Sequence, residues 1–148
     1  MTTRAGAGDR DSADADGSRA NIEIVSRIYE TAARGAADEM LALMDDDICI
    51  ALPGALPYGG TYHGKAAVRD LGTKLVAAWS EFRYETLHYT TGGDYVIAVI
   101  ELQSVARTSG REVRMPIAEV FRLRTGRVLE IQAFYFDTAQ AARAFDAR

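Results

Sequence analysis

Cysteine is nearly absent from this chain, and lysine, proline and histidine are scarce. Of 148 residues, one is cysteine (Cys49), three are proline, two are histidine (His63 and His88), and two of the 17 basic residues are lysine (Lys65 and Lys74). A single cysteine closes no internal disulfide, so a reducing, cytoplasmic compartment is expected. Long apolar runs are also missing. The longest, Tyr95 to Ile100, covers six residues, against about 20 for a helix that crosses a membrane. The first residues hold no apolar stretch of the secretory type, so no signal peptide is expected. Excess positive charge is lacking too. A net charge of −4 argues against nucleic acid or an anionic membrane as the main partner.

Several kinds of chemistry lack their motifs. There is no HExxH, no cysteine pair and no histidine–carboxylate triad at recognisable spacing, so no metal is expected. There is no glycine-rich dinucleotide or phosphate loop and no Gly-x-Ser-x-Gly elbow, and Cys49 lies mid-strand. A cofactor-independent protein is the expectation. Asp45-Asp46-Asp47 reads as a solvated turn.

Apolar residues make up 48% of the chain and charged residues 26%, which suits one globular domain. Residues 1–20 carry no apolar periodicity and read as a disordered tail. From Asn21 the spacing is helical, with Ile22, Val25, Ile28, Tyr29 and Ala32 on one face. A short second helix carries Met40, Leu41 and Met44. Ile48 to Leu52 reads as a strand stopped by Pro53, and residues 54–64 as a loop. A third helix is expected from Lys65 to Trp79. Four strands follow, over 82–90, 95–104, 113–123 and 127–136, with turns at Gly92-Gly93-Asp94 and Thr125-Gly126. Tyr95 to Ser104 is apolar enough for a central strand covered on both faces. A last helix begins near Thr138, with Asp137 or Thr138 as its cap. The order predicts an α+β fold in which one curved, mostly antiparallel sheet wraps round three to four helices.

Particular segments carry a family likeness. They are Ile28-Tyr29-Glu30-Thr31, Leu41 to Asp47, Leu56-Pro57-Tyr58-Gly59-Gly60-Thr61-Tyr62-His63-Gly64, Val120 to Val128 and Tyr135-Phe136-Asp137-Thr138. Together they resemble the SnoaL-like branch of the nuclear-transport-factor-2-like superfamily, which includes ketosteroid isomerases and polyketide cyclases. The resemblance implies a cone-shaped barrel over residues 21–148, an apolar pocket at its open end and a homodimer. It also implies a hydrophobic small molecule as substrate or ligand. Fold alone does not select among the isomerases, cyclases, dehydratases and non-catalytic binders of that superfamily.

Glu119 is the most informative residue. Met115, Ile117, Glu119, Phe121 and Leu123 share one strand face by the period of two, and four of the five are apolar. A carboxylate among them is either paired with an arginine, turned to solvent, or held neutral as a hydrogen-bond donor. By resemblance Glu119 stands where ketosteroid isomerases carry an oxyanion-hole acid, and Tyr29 where they carry the oxyanion-hole tyrosine. Without the resemblance, Tyr29 reads as a core tyrosine. The family's bases are replaced, by Leu52 before Pro53 and by Phe134 on the last strand. Candidates for moving a proton are then Asp137, which otherwise caps the last helix, Tyr135, which otherwise fills the pocket wall, and His63, which otherwise is a surface loop histidine. Leu52, Tyr58, Trp79, Phe134 and Tyr135 are the candidate substrate-binding residues. His88 reads as a packed histidine. Two functions are expected in competition: an isomerase, cyclase or dehydratase acting on a hydrophobic carbonyl compound of polyketide type, and a non-catalytic binding or dimerisation module.

Overall fold

Three- and four-residue apolar spacing builds the helices that open the chain. The computed structural model describes residues 7–146. Helix α1 spans Ala7–Ala33 and buries Val25 and Ile28; α2 spans Ala37–Ala42 and buries Leu41. Strand β1 (Met44–Leu52), β2 (Gly60–His63) and α3 (Gly64–Ala78) follow. Then come β3 (Trp79–Gly92), β4 (Tyr95–Ala106), β5 (Glu112–Arg124), β6 (Arg127–Tyr135) and α4 (Thr138–Ala144). The six strands form one sheet in the order β2-β1-β6-β5-β4-β3, antiparallel at every joint except β1 with β6.

The sheet curves because its ladder is interrupted. Register shifts fall between Trp79 and Glu81, Thr86 and His88, Arg122 and Leu123, and Met44 and Cys49. Each extra residue bends its strand and raises the local twist. The result is the cone expected from the sequence, with helices on its concave side. The β5–β6 turn places both Thr125 and Gly126 at positive φ, 49° and 76°, as a tight hairpin of right-handed twist demands.

Four local expectations are corrected. Residues 60–63 are not loop. They pair with Cys49 to Leu52 as β2, because the 54–59 segment folds back so tightly that Gly59 packs against the Pro53 carbonyl where no Cβ fits. That fold-back buries Leu56 and Tyr58. The Asp45-Asp46-Asp47 run is not a turn but part of β1, where Arg124 bonds Asp45 and Asp47 at 2.9 and 3.1 Å and Lys65 lies 3.3 Å from Asp46. Strand β4 is not covered on both faces. Val96, Ala98, Ile100, Leu102, Ser104 and Ala106 are buried, while the residues between them are half-buried or exposed, because the helices pack on the concave face. The expected disordered tail divides: residues 1–6 lie outside the described residues, and 7–20 continue α1. Lack of apolar periodicity does not by itself exclude a helix. Alanines at 7, 13, 15 and 20 favour helix on their own, and extension from turns already packed at Val25 and Ile28 avoids the cost of a new nucleus.

Candidate functional site

Period-two alternation aims one carboxyl group into the cone. Glu119 on β5 shares its face with Ile117 and Phe121, and its register partners are Ala98 on β4 and Ala133 on β6. Two small residues flank it, so its side chain has room to project from the sheet. It projects into a cavity of about 170 Å³ roofed by α1, α2 and α3. Leu52, Ile100, Leu102, Phe121 and Ile131 are among its apolar walls. The polar groups facing it are Glu119, Tyr29, Tyr84 and Tyr135. Among the described residues that line it, Glu119 is the only one with an acidic or basic side chain.

Tyr29 reaches Glu119 from α1 and donates its hydroxyl to Oε1 at 2.8 Å. Its ring is clamped between Tyr84, at 5.3 Å between centroids and 59°, and Phe121, at 5.8 Å and 73°. The Tyr84 hydroxyl donates to the Tyr29 carbonyl at 3.0 Å and ties α1 to β3. Among the described residues no arginine pairs with Glu119. Arg114 bonds Glu101, Arg122 bonds Glu130, and Arg124 bonds Asp45 and Asp47. The described residues thus give no support to the arginine-paired reading of Glu119.

Burial decides the electrostatics. Loss of water raises the Glu119 carboxyl above its ordinary value, and the Tyr29 hydrogen bond only partly opposes that. Burial also pushes the Tyr29 hydroxyl well above the usual phenol range, with the Glu119 charge adding to it. Tyr84 is pushed up to about 12, by burial first and then by Glu119. The tyrosines therefore keep their protons and act as donors, while Glu119 holds its proton to higher pH than an exposed carboxylate does.

A second polar point lies along the same wall. Tyr135 on β6 faces the cavity, and its hydroxyl is 2.8 Å from that of Tyr58. Tyr58 is fully buried behind it, at 6.3 Å from the Trp79 ring and 6.1 Å from Phe145. Burial raises Tyr58 to about 12 and Tyr135 further still.

The residues singled out from the sequence divide cleanly. Glu119, Tyr29, Leu52 and Tyr135 meet at the cavity. Tyr58 and Trp79 stand behind its wall rather than in it. Phe134 does not face the cavity. It is half exposed on the convex side, because Ala133 and Tyr135 take the inward positions of β6. Asp137 caps α4, accepting the Gln140 N–H at 2.9 Å, and lies outside the cavity lining. His63 is exposed at the residue preceding α3 and is also outside it. His88 is exposed rather than packed, because the bulge after Thr86 breaks the face it would share with Tyr84. Phe82, Tyr84, Gly72 and Met40 line the cavity and were not anticipated as site residues. Strand alternation through Phe82, Tyr84 and Thr86 was the signal for Tyr84. Among the described residues, no group of three or more histidine, cysteine or acidic side chains is placed to hold a metal.

Comparison with known proteins agrees with this geometry. A sequence profile of the SnoaL-like domain family matches residues 25–131. An NTF2-like protein of unknown function from Burkholderia pseudomallei has 24% identity over 86% of this chain and 98% of its own, with a TM-score of 0.80. An NTF2-like protein from Burkholderia xenovorans has 26% identity over 87% and 98%, with a TM-score of 0.81. A Jannaschia protein provisionally described as a SnoaL-like polyketide cyclase has 18% identity over 88% and 95%, with a TM-score of 0.75. These likenesses establish the cone-shaped fold. No curated protein matches the sequence.

Proposed function

The chain belongs to the SnoaL-like domain family, and from that premise we propose that it is a cofactor-independent proton-transfer enzyme acting on a small hydrophobic carbonyl compound. One observation carries the reading. Among the described residues, the apolar cavity holds a single carboxyl group, raised by burial, without a cationic partner and in contact with a hydroxyl donor.

The chemistry follows from that pair. In its ionised form Glu119 takes a proton from the carbon next to the substrate carbonyl, and the electron pair moves onto the carbonyl oxygen as an enolate. Protonation makes Glu119 a poorer acceptor, which frees the Tyr29 hydroxyl to donate to the new oxyanion. Fixed donors aimed at developing charge in a dry site stabilise it more than water does. Glu119 then returns the proton to a different carbon, which completes an isomerisation, or to a leaving hydroxyl, which completes a dehydration. Tyr135, fixed by Tyr58, offers a second donor to orient the substrate.

The test is exchange of acidic C–H for deuterium in a panel of monocyclic enones and hydroxyketones, followed by NMR in heavy water. The wild type should exchange, and Glu119→Gln should lose about 10²-fold or more, the scale of general acid–base catalysis. Tight binding of these compounds without any exchange would overturn the enzyme reading in favour of a binding module.

A further inference from the structure

Gly72 sits in the interior of α3, where a glycine weakens the helix relative to alanine. Neither backbone nor packing asks for it. Its φ is not positive, and the Cβ of an alanine there would meet nothing within 4 Å. Yet Gly72 lines the cavity while being exposed to solvent, so the cavity meets the outside at this point. The surroundings are apolar. Val76, one turn further along α3, is 69% exposed, and Phe82 on β3 lines the same cavity while 43% exposed. Leu75 lines the cavity beside them. Water-facing apolar side chains at an opening favour a nonpolar occupant.

The enclosed space is small. About 170 Å³ is comparable with a cavity of roughly 150 Å³ that accepts benzene, so one ring fills it. A larger ligand has to extend through the opening. We propose that Gly72 is the doorway of the cavity and sets ligand length: the ring lies inside, and an apolar substituent leaves past Gly72 over Val76 and Phe82. The substrate class is thus a monocyclic carbonyl compound with an alkyl or aryl tail. The inference rests on the cavity being the site of function but not on the role of Glu119.

Alkylbenzenes separate the two, since they carry no oxygen for Glu119 or Tyr29 to hold. Toluene, butylbenzene and hexylbenzene would be titrated against wild type, Gly72→Ala, Gly72→Leu and Glu119→Gln, with melting temperature and calorimetric affinity as readouts. Ligands that bind only the folded state raise the melting temperature. All three should stabilise the wild type and Glu119→Gln alike. Gly72→Leu should keep toluene and lose at least tenfold in hexylbenzene affinity, and ligand-free Gly72→Ala should melt roughly 2–8 °C higher. Equal hexylbenzene affinity in wild type and Gly72→Leu, or no stabilisation of the wild type by any alkylbenzene, would overturn the doorway. Loss of deuterium exchange with the chain-length effect intact would remove only the catalytic reading.

Discussion

Glu119 and Glu130 sit on neighbouring strands of one sheet, and their surroundings could hardly differ more. Glu130 lies on the convex side and takes two bonds from Arg122, Nε at 3.0 Å and Nη2 at 2.6 Å. Glu119 lies on the concave side and, among the described residues, has no cation and accepts a single neutral hydroxyl. On the outside, solvent and an opposite charge surround the carboxylate. On the inside, the carboxyl is desolvated, and burial raises it above its ordinary value.

The sharpest way to break the contrast is to remove the room that Glu119 occupies. Ala98 and Ala133 flank it in register, and Ala98 is completely buried. Ala98→Leu overpacks the sheet beside Glu119 and should cost about 1–3 kcal/mol, the usual range for inserting methylenes into a packed core. Chemical denaturation would read the loss. A cost near zero would mean that the niche yields easily and that the alanines are not what shapes it.

The next effect is a pH dependence, and its sign follows from burial. The folded protein binds the Glu119 proton more tightly than the unfolded chain does, because the buried site disfavours the carboxylate. The stability this contributes is complete below the unfolded value, near 4.5, and is lost as pH rises through the raised folded value. Asp45 runs the other way. The backbone N–H of Asp47, then Arg124, lower it, so its contribution is present above the unfolded value of 3.8 and is lost on acidification. Glu119→Gln removes the first dependence and leaves the second. Melting temperature measured from pH 4 to 8 should therefore show Glu119→Gln gaining on the wild type as pH rises. Parallel curves would mean that the interior does not perturb Glu119.

What was legible in the sequence follows the same division. Period two on β5 placed Glu119 on a core face, and helical spacing placed Tyr29 beside Ile28, because one-sided burial imposes both patterns. The cone followed from element order together with the family likeness. Bulges left no such trace. The shift between Thr86 and His88 turns His88 out of the face that its spacing from Tyr84 implies. The likeness puts Phe134 at the site, whereas alternation through Ile131, Ala133 and Tyr135 points it outward, and the structure follows the alternation. The partnership of β2 with β1 depends on the fold-back of residues 54–59, a tertiary event that local composition does not encode. The doorway at Gly72 was invisible for a related reason. A helical glycine has meaning only once the space beside it is known.

The smallest effect completes the comparison on its convex side. Arg122 and Glu130 make a two-pronged contact, the best geometry such a pair has, with 37% and 47% of their side chains exposed. The Glu130 charge raises Arg122 still further, mainly through the hydrogen bonds. Water screens the pair, and holding two long side chains in one geometry costs entropy, so exposed pairs contribute only about 0–1 kcal/mol. Arg122→Ala should thus lower stability only slightly, with most of the loss gone in 1 M salt, where charges are screened over about 3 Å. It should leave deuterium exchange unchanged, since the pair faces away from the cavity. A loss of several kcal/mol, or a change in exchange rate, would mean that the two faces of the sheet are coupled through β5, and the separation of paired outer charge from unpaired inner charge would fail.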